Sequence, residues 1–566
     1  MYREIFTSYE PSGGSHRTKG WIEQLWVLGL LLAAIVLYQM NLGELPLRDW
    51  DEGIVAQVAR DLWRGDLNWL HPTIAGEPYF NKPPLVHLLV AIAYHFGGVN
   101  EWTTRLPGAM LSAISVPLLY GIAREVFPLR GPAIFSALIY LTLFPVVRHG
   151  RLAMLDGALL CFFLLTLWCL LRSRRDLRWG LGVGFGLGAI VLTKGVVAIL
   201  LGTIALLFTL WDTPRLLRSG YLWTGLLLGM TPVTLWYVAQ LLYYGDRFAS
   251  AHFLSQSWQR LLAPVENNSG PPWFYLLELL KYTWPWLLFW PAGLHLAWNN
   301  RNLGWAKLVL VWTGIYLSAI TVMSTKLPWY VLPVYPAIAL TCGALLAQVW
   351  QGDVYAHSTV PSSASGPLSP SHFYPRYWVV ILGILALGAW GASAYFGLFD
   401  PSVDPVLPIA LFALALTFSV SASLVYREDR QFVLILFWGM YVSLCLFVSC
   451  AHWVWELAED YPVRPVAQIV REYTPPEQVV YTSHPYHRPS LNFYSDRQVI
   501  PADLEQLQQH WKKDDRPYLL LDPETRDRLQ LKQAKAIAEA ENWILIARDP
   551  TKGLGSWELR IETEIH

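Results

Sequence analysis

Charged residues are few in this chain and fall at places where charge is expensive. The stretch Leu47-Arg48-Asp49-Trp50-Asp51-Glu52-Gly53 and, about thirty residues on, Tyr79-Phe80-Asn81-Lys82-Pro83-Pro84 lie between the first long apolar segment and the next clear one. Asp156 follows Arg148-His149-Gly150-Arg151 at the head of another apolar run, and Lys194 and Lys326 interrupt apolar sequence further on. An ionisable group at membrane depth is costly and marks a functional site by default. Carboxylates that take a proton, set beside cations that stabilise growing negative charge, suit displacement at a phosphate-bearing substrate.

Each of these residues also has a quieter explanation. Asp49 with Glu52 three residues on is a capping-box pattern at the start of a helix whose Ile54, Val55, Val58, Ala59 and Leu62 share a face. That pattern occupies Asp49 and Glu52 and leaves Asp51 without a structural task. Asp51 is therefore the first candidate for a catalytic carboxylate and Glu52 the second. Lys82, at the start of a Pro-Pro helix entry, reads either as a snorkelling lysine or as a phosphate ligand. Asp156 reads as a charge held by a helix N-terminus or as a member of the site, and the cost of burying it favours the site. Lys194 and Lys326 either pair with carboxylates or snorkel, and Arg260 is a solvated loop residue or a further cation.

The elements that must position these groups are membrane helices. Only 15% of the 566 residues are charged, and the formal net charge is zero, so no bulk argument for nucleic-acid binding exists. Apolar runs long enough to cross a hydrocarbon core recur throughout. Thirteen are expected, near 22–41, 103–124, 131–148, 155–171, 179–193, 195–211, 220–242, 273–297, 305–323, 330–350, 377–398, 405–426 and 432–450, with 83–97 as an interfacial or re-entrant helix. The 29 Trp and 28 Tyr flank many of these runs, as interfacial belts do. The five cysteines fall in apolar segments without metal-ligand spacing and read as small hydrophobes.

Basic residues set the orientation. Arg124 and Arg130, the cluster Arg172, Arg174, Arg175 and Arg178, then Arg215, Arg218, Arg301, Lys307, Arg427 and Arg430 share one side if residues 1–20 form a cytoplasmic tail that is not a cleaved signal. The loops with Asp51, Asp156, Lys194, Arg260 and Lys326 then face the outside. The expected organisation is a tail (1–20), a transmembrane catalytic unit (21–455) with an outer juxtamembrane loop (42–102), a cytoplasmic Pro/Ser-rich linker (353–375), and a soluble α/β domain outside (456–566). In that domain, short β-rich runs (478–481, 518–521, 543–546) alternate with helical patterns (501–511, 523–540), and no Gly-rich phosphate loop is present.

An ordered set of motifs adds a resemblance. Asp51-Glu52, Tyr79-Phe80-Asn81-Lys82-Pro83-Pro84-Leu85, Arg105-Leu106-Pro107, Arg151-Leu152-Ala153-Met154-Leu155-Asp156, Leu192-Thr193-Lys194-Gly195 and Lys326-Leu327-Pro328-Trp329-Tyr330 through Pro336 resemble, in that order, GT-C glycosyltransferases of the protein O-mannosyltransferase superfamily. The bacterial branch that includes the lipid A aminoarabinose transferase is the nearest, and the likeness runs over about residues 20–350. The resemblance implies a GT-C fold and an inverting hexosyl- or pentosyltransferase in the bacterial inner membrane. It implies a polyprenyl-phosphate-sugar donor and a lipid, glycan or protein acceptor. Asp51 and Asp156 would stand at the reacting centre, with Lys82, Arg260, Lys326 and Tyr330 on the substrate and its phosphate. One position departs from the branch: an acidic metal ligand there precedes the Lys-Pro-Pro run, and here the residue is Asn81. A neutral amide replaces a carboxylate poorly in a zinc site, so no metal is assigned. The rival class is a transporter or flippase of a lipid-linked sugar. Transporters often carry inverted repeats and mid-membrane sites. This chain shows no repeat, and its charges gather toward one face.

Overall fold

The computed structural model describes residues 16–259, 263–264, 268–356, 374–400, 403–454, 462–514 and 516–548. Among these, nine helices are long and apolar enough to cross a membrane, or ten if the bent pair Arg130–Leu141 and Phe144–Arg151 is one span. The chain is an integral membrane protein. The first helix, His16–Gln39, packs against Glu101–Val126, which in turn packs against Leu155–Arg172.

Several spans are interrupted where the sequence reads as continuous, and proline supplies the reason. The run 131–148 breaks between Leu141 and Phe144 with a bend of 56°, and Pro145 opens its second half. The run 273–297 divides into Phe274–Tyr282, Trp286–Leu288 and Trp290–Asn299, with Pro285 and Pro291 at the joints. A proline has no backbone N–H for the helical ladder and starts a helix more readily than it continues one. Gly180–Lys194 and Val197–Asp212 hold 15 and 16 residues. At 1.5 Å per residue they reach only about 22 and 24 Å, less than the roughly 30 Å of a hydrocarbon core. They meet at Gly195, whose φ of +55° lets the chain turn sharply after Lys194. On its other flank Gly180–Lys194 meets Gly220–Tyr244 so closely that a Cβ at Gly184 or Gly229 would strike backbone of the facing helix. Small residues permit this approach between membrane helices.

The C-terminal region holds a five-stranded sheet in the order 498–501, 479–482, 518–521, 543–548, 534–540, parallel across the first three strands and antiparallel across the last three. One expectation fails there. The helical pattern 523–540 stops at Leu529, and Ala534–Ala540 is a strand. Glu541 and Asn542, with φ of 50° and 64°, form the tight turn that folds it back onto Trp543–Arg548. Pairing with a neighbour outweighs the helix preference of its Ala, Lys and Glu residues.

Candidate functional site

The helix Asp51–Arg64 is held in place from two directions. Glu52 is fully buried and its carboxylate takes bonds from Arg105 Nε (2.7 Å), Arg105 Nη2 (2.7 Å), the Ala153 N–H (2.8 Å) and the Arg48 N–H (3.0 Å). Burial pushes Glu52 up, but Arg105 outweighs it and holds the carboxyl below its ordinary value. The same guanidinium donates to the carbonyls of Leu42, Leu45 and Pro46, pinning the loop that leads into the helix. Arg151 does likewise for the end of the first helix, through the carbonyls of Leu37, Tyr38 and Met40. From the other direction comes Pro489–Ser495 of the C-terminal region. Asp49 accepts from Ser490 Oγ (2.5 Å), the Ser490 N–H (3.2 Å) and Arg488 (3.1 Å). Arg60 donates to the carbonyls of Phe493 and Asn492 and pairs with Asp496 at 3.0 Å. At Gly53 a Cβ would stand 2.8 Å from the Ser490 nitrogen, so glycine lets the two helices touch.

The expected capping box does not form. Trp50 stands at the helix N-cap without a side-chain cap bond, Asp49 turns to Ser490 and Arg488, and Glu52 keeps only the reach back to the Arg48 N–H. Partners distant in sequence outcompeted the local pattern.

Asp51, between them, has a different environment. It is half-buried; loss of surrounding water pushes it up to about 6, against the pull of Arg48 and Lys194 and with the push of Asp156 and Glu52. Asp51 is thus close enough to Asp156 and Lys194 to feel both. Asp156, buried at the first turn of Leu155–Arg172, accepts from Lys194 Nζ at 2.7 Å. This pair faces a cavity of about 100 Å³, whose polar wall includes Asn81, Lys82, His252 and Tyr330 and whose apolar wall includes Leu159, Val197, Leu200, Ile320 and Met323. Tyr330 lies under Lys194, with Nζ 5.6 Å from the ring centroid. Cation and aromatic face attract at that range.

Of the residues singled out in the sequence, Lys82, Asp156, Lys194 and Tyr330 line this cavity and Asp51 neighbours its charges. Glu52 does not line it. Nor does Lys326, whose ammonium donates to the carbonyls of Ile320 (2.9 Å) and Thr321 (2.6 Å) and so closes the C-terminal end of Gly304–Val322. Arg260 lies outside the described residues. His252 was not anticipated: a single histidine without metal or catalytic spacing carries no signal in sequence. Of the two readings of Lys194, pairing with a carboxylate holds, and its partner, not named by the sequence, is Asp156, 38 residues earlier. A divalent metal does not suit the donors here. Asn81 offers a neutral oxygen, and among the described residues no three His, Cys, Asp or Glu side chains converge as a metal set.

Comparison with known proteins agrees with this architecture. Residues 81–237 match the family described as dolichyl-phosphate-mannose-protein mannosyltransferase. The chain is 30% identical, over 60% of its own length and 60% of the relative's, to undecaprenyl phosphate-alpha-4-amino-4-deoxy-L-arabinose arabinosyl transferase 2 of Pseudomonas fluorescens. It is 29% identical to transferase 1 of the same strain, over 57% of this chain and 60% of that one. It therefore spans about three fifths of the length of these relatives. Among solved structures, ArnT from Cupriavidus metallidurans bound to undecaprenyl phosphate superposes with a TM-score of 0.74 at 20% identity, covering 94% of this chain and 98% of that one. The chain has the GT-C fold, and its resemblance to the aminoarabinose transferases holds in sequence as well as in architecture.

Proposed function

We propose that this protein is an inverting membrane glycosyltransferase. It takes a sugar from a polyprenyl-phosphate-sugar donor and passes it to a lipid, glycan or protein acceptor at the non-cytoplasmic face of a bacterial inner membrane. The observation that carries this reading is one cavity with a cationic, carboxylate-bearing end and an apolar wall, beside a carboxylate tuned to about 6. A phosphate joined to an isoprenoid chain has the same two-part character. The names of the similar proteins, and the undecaprenyl phosphate bound to ArnT from Cupriavidus metallidurans, point to the same donor class.

In the proposed reaction the acceptor oxygen attacks the anomeric carbon from the side opposite the phosphate. The bond from that carbon to the phosphate oxygen breaks, and its electron pair leaves on the polyprenyl phosphate. Asp51 takes the acceptor proton, a task that suits a carboxyl with a pKa near the working pH. Lys82 and Lys194, with Arg260 from the outer loop, offset the charge that grows on the departing phosphate. Asp156 holds Lys194 in place, and Tyr330 backs it. Glu52 and Lys326 hold the elements that carry the site.

The proposed orientation has structural support. Glu23 pairs with Arg124 and Arg130, and Asp212 with Arg174 and Lys307, whereas the other end of the first helix meets Arg151 near the site. The arginine-rich ends thus lie opposite the cavity, as the positive-inside rule requires of an outward site. In the same reading the chain divides at 456, with the sheet region outside. A cysteine placed at Gln508 is expected to react with an impermeant maleimide from outside and one at Arg175 is not; the reverse result overturns the orientation. For the chemistry, purified protein in nanodiscs is given radiolabelled undecaprenyl-phosphate sugars and membrane-lipid, glycan or peptide acceptors. Released undecaprenyl phosphate and label on an acceptor are expected. A wild type that only moves the intact donor between leaflets, with no cleavage, makes the protein a flippase instead.

A further inference from the structure

His252 lies on the helix Ser250–Trp258, outside the membrane-spanning helices and against the cavity. Its Nδ1 is 2.8 Å from the Phe80 carbonyl oxygen, two residues before Lys82. A carbonyl only accepts, so Nδ1 carries the hydrogen. In a neutral ring Nε2 then holds the lone pair, and the Tyr237 hydroxyl stands 3.0 Å from it as donor. Burial and the nearby Lys82 charge both disfavour the imidazolium, which agrees with that neutral tautomer. The ring is also fixed by packing. Phe248 stacks on it at 5.1 Å, and Trp236 and Tyr237 meet it edge-on at 5.9 and 5.5 Å. On the far side is Gly195, next to Lys194: a Cβ there would stand 3.4 Å from the Tyr237 hydroxyl and 3.5 Å from His252 Nε2. The His252–Tyr237 pair is thus wedged between the turn that carries Lys82 and the turn that carries Lys194.

We infer that His252 is a positioning residue that, with Tyr237, sets the spacing of the two cavity cations Lys82 and Lys194, by its hydrogen bond to the Phe80 carbonyl on one side and by packing against Gly195 on the other, without a metal ion. A metal at this place would need a lone pair on the imidazole and an anionic oxygen beside Lys82. The imidazole lone pair is taken by Tyr237, and the residue beside Lys82 is Asn81, whose amide is neutral. The inference rests on the proposal above that the cavity receives a polyprenyl phosphate, and it says how that phosphate site is held.

The test uses the full-length protein in nanodiscs, with undecaprenyl phosphate as the probe and metal content by mass spectrometry as a separate readout. After equilibration with equimolar zinc and desalting, the wild type is expected to retain well under one metal per chain. Chelation with EDTA is expected to leave the probe's Kd unchanged. His252→Ala is expected to weaken binding about tenfold, the scale of one lost hydrogen bond. His252→Asn, whose amide can still donate to the Phe80 carbonyl, is expected to recover most of that loss; a metal ligand would not be replaced by asparagine. Stoichiometric zinc in the wild type that His252→Ala abolishes, or an EDTA-sensitive Kd with Asn as weak as Ala, overturns the inference. If the wild type fails to bind undecaprenyl phosphate at all, the functional proposal falls, while the metal measurement still decides whether this pocket holds an ion.

Discussion

Two clusters of charge meet at the start of the helix Asp51–Arg64, and they differ in one respect. On the seam toward the C-terminal region and the neighbouring loops, Asp49 and Glu52 receive protein donors for their carboxylate oxygens, at 3% and 0% exposure. At the cavity, Asp156 and Lys194 hold one another but face open space, and Asp51 beside them is held at about 6. Burial of charge therefore has opposite uses. Where several protein groups donate to the carboxylate, the charge fixes a backbone; where part of the surroundings is left to a ligand, the charge remains available for chemistry. Asp51 and Glu52 are consecutive residues and stand on opposite sides of this division.

The division is easiest to break at those two residues. Asp51→Asn is expected to lower transfer by about a hundred- to ten-thousand-fold, the span of a lost general base, with an unchanged Tm. Full activity in a folded Asp51→Asn protein would remove Asp51 from the reacting centre. Glu52→Gln is the mirror case. It leaves the fully buried Arg105 without its counter-charge, which costs about 3–5 kcal/mol. A large fall in Tm is expected, with normal turnover per folded molecule; a stable but inactive Glu52→Gln protein would move that carboxylate to the cavity side. Lys194→Met is expected to reduce kcat about a hundredfold or more, as loss of one group that stabilises the developing charge does. If only KM rises, the ammonium binds the ground state alone.

The pH dependence sharpens the same contrast. Asp51 acts when ionised, so transfer is expected to fall about tenfold per unit as pH drops below about 6 and to level off above it. A profile flat from pH 5 to 8 in the wild type, at a buffer range of about three units, would assign the base elsewhere. The smallest effect belongs to the outer edge of the seam. Arg64 pairs with Asp496 at 2.8 Å, but both are exposed, and Arg64→Ala is expected to cost less than about 1 kcal/mol and to leave turnover alone. A large loss of activity there would mean that the C-terminal docking controls the site.

The parts of this protein legible in its sequence are those with strong local cost. Long apolar runs and costly charges at their ends, such as Asp156 and Lys194, are visible residue by residue because the bilayer penalises them wherever the chain later folds. Asp51 and Lys82 were likewise marked by type and spacing, whereas Tyr330 was marked only by the motif resemblance. Identity alone did not separate Lys326 from Lys82. The first spends its ammonium on two helix-end carbonyls and the second lines the cavity, a distinction made only by where each side chain arrives.

Three readings turned on contacts that local pattern does not encode. The Asp49–Glu52 capping box gave way because Arg105 lies 53 residues beyond Glu52 and Ser490 lies 441 beyond Asp49, and their bonds displaced the local cap. Ala534–Ala540 carries helix-forming residues, yet becomes a strand because Trp543–Arg548 offers it a ladder. His252 has no motif around it; it gains its place only when Phe80 and Tyr237 converge on its two nitrogens. The sequence by itself determined that this is a polytopic membrane protein with costly charge at the ends of its helices, because the price of charge in lipid is paid residue by residue. Tertiary structure alone decided which of those charges are filled with protein bonds and which face a cavity, because that depends on partners brought from distant parts of the chain.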